Sequence, residues 1–164
     1  MRQRLLSVLV LLVVVTTFGF ASNGDTINIG GYVTLKLDLT VDADPAADNL
    51  QLEGTTDGFN PTIAEITIST NNTAGWQLWV FAVNADGSGT AMINDDLDEI
   101  PYTISYAGTG GVGPVAITTT GVAVGDSGTA AGDTAAVLSI TYDQSETFPA
   151  GYYSDQLAIV LRAK

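Results

Sequence analysis

Residues 27–42 read INIGGYVTLKLDLTVD. Every odd position is apolar or glycine: Ile27, Ile29, Gly31, Val33, Leu35, Leu37, Leu39 and Val41. The even positions carry Asn28, Gly30, Tyr32, Thr34, Lys36, Asp38, Thr40 and Asp42. Strict alternation marks a strand with one buried face. A single strand over this stretch would run about 50 Å at ~3.3 Å per residue, whereas an ordinary strand covers roughly 17–20 Å. Two readings stay open. Either the pattern breaks at Gly30-Gly31, where a strand turns a corner between sheets, or its first part serves something outside its own domain.

The rest of the chain continues in short β-like pieces separated by turn residues. Leu50-Gln51-Leu52 reads as a short strand after the acidic loop 42–49. Residues 62–70 (TIAEITIST) form a β-branched strand, and Ile63 is out of phase with Ile66 and Ile68, which predicts a bulge. Residues 76–84 (WQLWVFAVN) are apolar at both parities, as in a central strand covered on both sides. Ile100, Tyr102, Ile104 and Tyr106 alternate, and Pro101 favours a strand start or an edge. Further strands are expected at 115–119, 122–124, 136–142 and 156–162, with a flexible loop at 126–133. No helical period or internal repeat appears. The expectation is one all-β sandwich domain, with residues 76–83 and 157–161 in central, buried strands.

Composition narrows the chemistry. The 164 residues contain no Cys and no His, with 5 basic residues against 18 acidic ones. Without Cys there is no disulfide, thiolate nucleophile or thiolate-bound metal. Without His the usual neutral-pH acid–base group is missing. A formal net charge of −13 repels phosphate backbones and argues against nucleic-acid binding. The remaining enzyme class is a two-carboxylate glycosidase, but Asp95, Asp96, Asp98 and Glu99 read as a solvated charged turn. The expectation is no enzyme, no cofactor and no metal. Asn84 to Gly89 has the oxygen-rich look of a calcium loop, which Asp95 and Asp96 could complete. It lacks a spaced ligand series, and Asp-Gly turns are common hairpin connectors.

Residues 1–21 carry Arg2 and Arg4, an apolar run from Leu5 to Val15, and small residues at Gly19 and Ala21. This predicts a secretory signal peptide cleaved after Ala21. A membrane anchor is the rival reading, and Leu5 to Ala21 is at the lower limit of a span.

Three blocks carry a resemblance: the alternating N-terminal segment, Asn71-Asn72-Thr73-Ala74-Gly75-Trp76-Gln77-Leu78-Trp79-Val80, and Ala150-Gly151-Tyr152-Tyr153-Ser154-Asp155-Gln156-Leu157. With Ile100-Pro101-Tyr102 and Ser105-Tyr106 between them, the chain resembles bacterial pilin subunits of the archaic chaperone–usher type and the related spore coat protein U-like domains. It lacks the cysteine pair that many of those domains carry. The resemblance implies an immunoglobulin-like antiparallel β-sandwich that is incomplete and is completed by a donor strand from a neighbour. It also implies a periplasmic chaperone, an outer-membrane usher and copies of itself or related pilins as partners, with export through the periplasm to a cell-surface fibre.

The expected organisation is therefore a signal peptide at 1–21, an N-terminal strand or donor segment at 22–35, and a sandwich domain at 36–164. Ile27, Ile29, Val33 and Leu35 are the expected donor residues at the subunit interface. Peptides that add a strand to a sheet edge gain affinity from backbone bonds and specificity from alternate side chains. The alternative is a secreted module binding carbohydrate, using Trp76, Trp79, Tyr102, Tyr106, Tyr152 and Tyr153. Aromatic residues on alternating strands more often pack in the core or across strands.

Overall fold

The computed structural model describes residues 30, 32–87, 89–128, 132–145 and 147–164. The signal-peptide reading and the donor positions Ile27 and Ile29 lie outside them. The chain divides between Val33 and Thr34, and all the strands belong to Thr34–Lys164.

The strands are β1 (Leu37–Ala43), β2 (Thr62–Thr70), β3 (Trp76–Ala82), β4 (Thr90–Ile93), β5 (Glu99–Tyr106), β6 (Val122–Ser127), β7 (Gly132–Thr141) and β8 (Leu157–Ala163). They form a five-stranded sheet ordered β1-β2-β7-β5-β4 and a three-stranded sheet ordered β6-β3-β8. Every pairing is antiparallel. A 3-10 turn, Pro45–Asp48, follows β1 and is capped by Asp44, whose carboxylate accepts the Ala46 amide at 2.8 Å.

Period two explains the core. Ile66 and Ile68 of β2, Trp76, Leu78 and Val80 of β3, and Ile100, Tyr102, Ile104 and Tyr106 of β5 all point inward and are buried with Ile117, Val124 and Leu138. The bulge expected at Ile63 is present as a register shift between Thr62 and Ala64. Pro101 lies where β5 has β4 alone as a neighbour, because β5 pairs with β7 only from Thr103 to Tyr106.

Several expectations need correction. Strand β3 is central but not covered on both sides: Gln77, Trp79 and Phe81 face outward and stay half-exposed. Trp79 and Phe81 stack with centroids 6.3 Å apart, and the Arg162 guanidinium lies 4.7 Å over the Trp79 ring. The apolar outer face is thus covered by side chains, not by a further layer. Strand β8 is an edge strand, since it pairs with β3 alone. Leu50–Leu52 is not a strand. The Gln51 carbonyl accepts from the Tyr142 hydroxyl at 3.0 Å and the Gln144 amide at 2.8 Å, so side chains take the place of a partner strand. The loop expected at 126–133 is shorter, because β6 runs through Ser127 and β7 begins at Gly132.

Candidate functional site

The two flanks of the sandwich are closed in different ways. On one flank the segment after β5 laces the sheets together. Ile104 and Val115 exchange two backbone bonds of 2.9 Å, Val112 N–H donates to Val124 at 3.0 Å, and Asp126 N–H donates to Thr109 at 3.3 Å. Gly110 permits this approach: its φ is +60°, and a Cβ there would stand 1.8 Å from the Asp126 carbonyl oxygen. Only glycine fits.

The opposite flank is formed by β1 and β8, one edge from each sheet, and among the described residues no strand pairs with the outer side of either. Their inward side chains are incompletely covered. Leu157, Ile159 and Leu161 of β8 are half-buried, whereas Trp76, Leu78 and Val80 on the neighbouring β3 are at most 1% exposed. Leu37 and Leu39 are likewise half-buried and Val41 is 42% exposed, beside the fully buried Ile66 and Ile68. The two edges come close to each other along part of their length and part into a groove towards the Ala43 end.

That groove opens into a cleft of about 430 Å³ towards its Ala43 end. Val41 and Ala43 form one wall and Leu157 and Ile159 the other, over Ile63, Ala64, Leu138, Ile140, Met92 and Tyr102. Asp48 to Leu52 and Gly151 to Asp155 border the mouth. Asp155 holds that border in place. Its carboxylate accepts from the Tyr102 hydroxyl at 2.7 Å, Thr90 Oγ1 at 3.1 Å, and the backbone amides of Asn84 at 3.1 Å and Gln156 at 2.7 Å. Burial, reinforced by the bond to Asp155 and its charge, raises the Tyr102 phenol far above its ordinary value.

At the other end of the groove, Asn71 fixes where the chain enters β1. Its side chain accepts from the Lys36 amide at 2.6 Å and donates to the Thr34 carbonyl at 2.8 Å, mimicking one more strand pair. Of the expected donor residues, Val33 and Leu35 precede β1 and are 86% and 57% exposed. Ile27 and Ile29 are outside the described residues.

The other candidates separate. Trp76, Tyr102, Tyr106 and Tyr153 are core residues, and of the six aromatic candidates only Trp79 and Tyr152 reach solvent. Asp95, Asp96, Asp98 and Glu99 lie in and beside the β4–β5 turn, where Asn94 Oδ1 accepts the amides of Asp96 and Asp98. In the β3–β4 loop, Asp86 accepts the Gly89 amide at 3.2 Å and Asn84 donates to the Ser154 carbonyl at 2.9 Å, as in a connecting turn. Among the described residues no three acidic side chains converge on one point. No helix among them is long and apolar enough to cross a membrane.

The sequence reading missed Asp155 and Asn71, although both lie inside the blocks that carried the resemblance. It also missed Val41, Leu157 and Ile159 as groove walls, because alternation reports an inward face but not whether that face is covered. A scan against protein-family models finds no match, and a search of curated proteins finds none.

Proposed function

We propose that this chain is a structural subunit of an extracellular or cell-surface bacterial fibre, assembled by donor-strand exchange. The observation that carries the reading is the groove between β1 and β8, apolar along its floor and bounded by two unpaired strand edges. An immunoglobulin-type sandwich places strands A-B-E-D in one sheet and C-F-G in the other. On this reading β1-β2-β7-β5 take the places of A-B-E-D and β3-β8 those of C-F, β4 and β6 are additions at the other two edges, and the place of G is the open side of β8.

The missing strand is supplied by residues 22–35 of a second copy. Ile27, Ile29, Val33 and Leu35 share one parity, so they enter the groove together while the backbone pairs with its edges. Burying each large aliphatic side chain contributes roughly 1.5–3 kcal/mol before the cost of ordering the segment. A strand antiparallel to β8 must end at the Ala43 end of the sandwich and begin at the Leu37 end. A neighbour whose Thr34 abuts that Ala43 end supplies this direction without a turn. Folded back on its own chain, the segment would instead run parallel to β8 and antiparallel to β1. The fibre role brings with it a periplasmic chaperone and an usher that hold the open edges during export, since an exposed edge otherwise pairs at random.

The test is the size distribution of the chain from Ser22 to Lys164. The native sequence should form linear polymers visible by electron microscopy. An Ile29→Asp chain should stay small and folded, because an unpaired charge cannot enter an apolar groove. Polymers of normal length from Ile29→Asp would refute the reading.

A further inference from the structure

The two sheets turn different surfaces outward. On the five-stranded sheet the outward positions include Asp38, Asp42, Glu65 and Glu99, all exposed. In the three strands of the smaller sheet Asp126 is the one acid. Its carboxylate accepts from the Lys164 ammonium and from the Gln77 amide at 3.1 Å, so it is already engaged.

Beside Gln77 the outer face of this sheet is aromatic. Trp79 stands opposite Ala123 of β6, and Phe81 opposite Ala158 of β8. Gly121 lies against Phe81: its φ is +78°, and a Cβ there would come within 2.5 Å of the ring. Small neighbours thus leave both rings half-exposed. The indole is held in orientation by a chain of bonds, since Trp79 Nε1–H donates to Gln77 Oε1 at 3.5 Å and Gln77 donates to Asp126. Arg162 lies over both rings, 4.7 Å from the Trp79 centroid and 5.7 Å from that of Phe81. Among the described residues no carboxylate is paired with its guanidinium, although the chain holds 18 acids. Stacking engages the plane of a guanidinium and leaves its N–H edge for a planar anion.

We propose that this face binds a carboxylate-bearing saccharide, with the Trp79–Phe81 pair packing a sugar ring and the Arg162 edge taking its carboxylate. The negative face of an aromatic ring suits the C–H groups of a pyranose. The bidentate, charge-assisted bond then selects an acidic sugar over a neutral one. Size argues against a protein in this place. Three strands about 4.8 Å apart and about seven residues long make a face of roughly 300 Å². A stable protein interface takes about 800 Å² from each partner. None of these side chains lines the β1–β8 groove, so the proposal stands apart from the donor-strand reading.

The experiment titrates the Ser22–Lys164 chain with short oligomers of galacturonate, mannuronate and hyaluronan, and with the methyl ester of each. Calorimetry gives the affinity. Tryptophan emission reports on Trp79, because Trp76, the other tryptophan, is buried. At least one free acid should bind saturably and shift the emission, and its methyl ester should bind at least tenfold more weakly. Arg162→Gln should bring the acid down to the affinity of the ester, and Trp79→Ala should weaken acid and ester alike. The acid–ester comparison on the native chain holds even where a variant does not fold. Binding of none of the three acids, equal binding of acid and ester, or acid binding unchanged in a folded Arg162→Gln chain would overturn the proposal. So would a hexaglutamate peptide that binds as tightly as the sugars, since the face would then be a contact for acidic protein segments.

Discussion

The Tyr102 hydroxyl donates to the Asp155 carboxylate at 2.7 Å, joining the floor of the groove to the segment that borders its mouth. Tyr102 is 5% exposed and comes from β5, whereas Asp155 lies two residues before the start of β8. One bond therefore ties the five-stranded sheet to the edge strand of the other. Hydrogen bonds to charged groups contribute about 1.5–3 kcal/mol. Tyr102→Phe should lower unfolding stability by that amount in urea titration, and Asp155→Ala by more, since three other donors lose their acceptor. A double-mutant cycle should show coupling between the two positions, and strict additivity would remove the link.

Alkaline pH should weaken the fold. Burial raises the phenols of Tyr106, Tyr142 and Tyr153, and it raises that of Tyr102 furthest. A group whose folded pKa lies above its unfolded value contributes stability that is intact below the unfolded value and is lost as pH rises towards the folded one. The urea midpoint should therefore hold to about pH 9 and fall steadily above about pH 10, where unfolded tyrosines ionise. The phenolate absorbance of these four tyrosines should appear together with unfolding. Free titration of all tyrosines in a still-folded chain would contradict this.

Asp42 of β1 and Glu65 of β2 stand directly opposite each other, both exposed, and like charges in that relation destabilise a sheet. Asp42→Thr removes the repulsion and places a β-branched residue on an edge strand, so it should raise stability by roughly 0.2–1 kcal/mol. Thermal unfolding at low and high salt checks it. The gain should shrink as salt screens the pair in the native chain.

Gly110 closes the flank opposite the groove. Its positive φ and the 1.8 Å approach to the Asp126 carbonyl leave no room for a methyl group. Gly110→Ala should cost at least about 1–3 kcal/mol from the backbone alone. It should also speed amide exchange at Val112 and Asp126, whose bonds lace that flank. Peptide binding at the far groove should persist.

Much of this architecture is legible in the order of residues. Alternation in 62–70 and 100–106 is strict because one face of each strand meets the core, and Ile63 betrays its bulge by breaking phase. The pattern fails where burial depends on the far neighbour. Trp79 and Phe81 are as apolar as Leu78 and Val80, yet they face outward under Arg162, a contact set by a residue 83 positions from Trp79. Leu157 and Ile159 look like core residues of a central strand, and only the topology reveals that β8 is an edge strand. Asp155 is one acid among many in the sequence, and its four bonds come from Asn84, Thr90, Tyr102 and its own neighbour Gln156.

The role proposed for the β1–β8 groove is to accept the N-terminal segment of another copy. A chain of residues 34–164 contains every strand and lacks the donor residues before Thr34. Adding the peptide of residues 22–35 and following amide hydrogen exchange tests the claim most directly. Binding should saturate at one peptide per chain, with exchange slowed at least tenfold along 37–43 and 157–163 and unchanged in β4. A folded chain that takes up no peptide, or that gains protection at β4 or β6 instead, would contradict it.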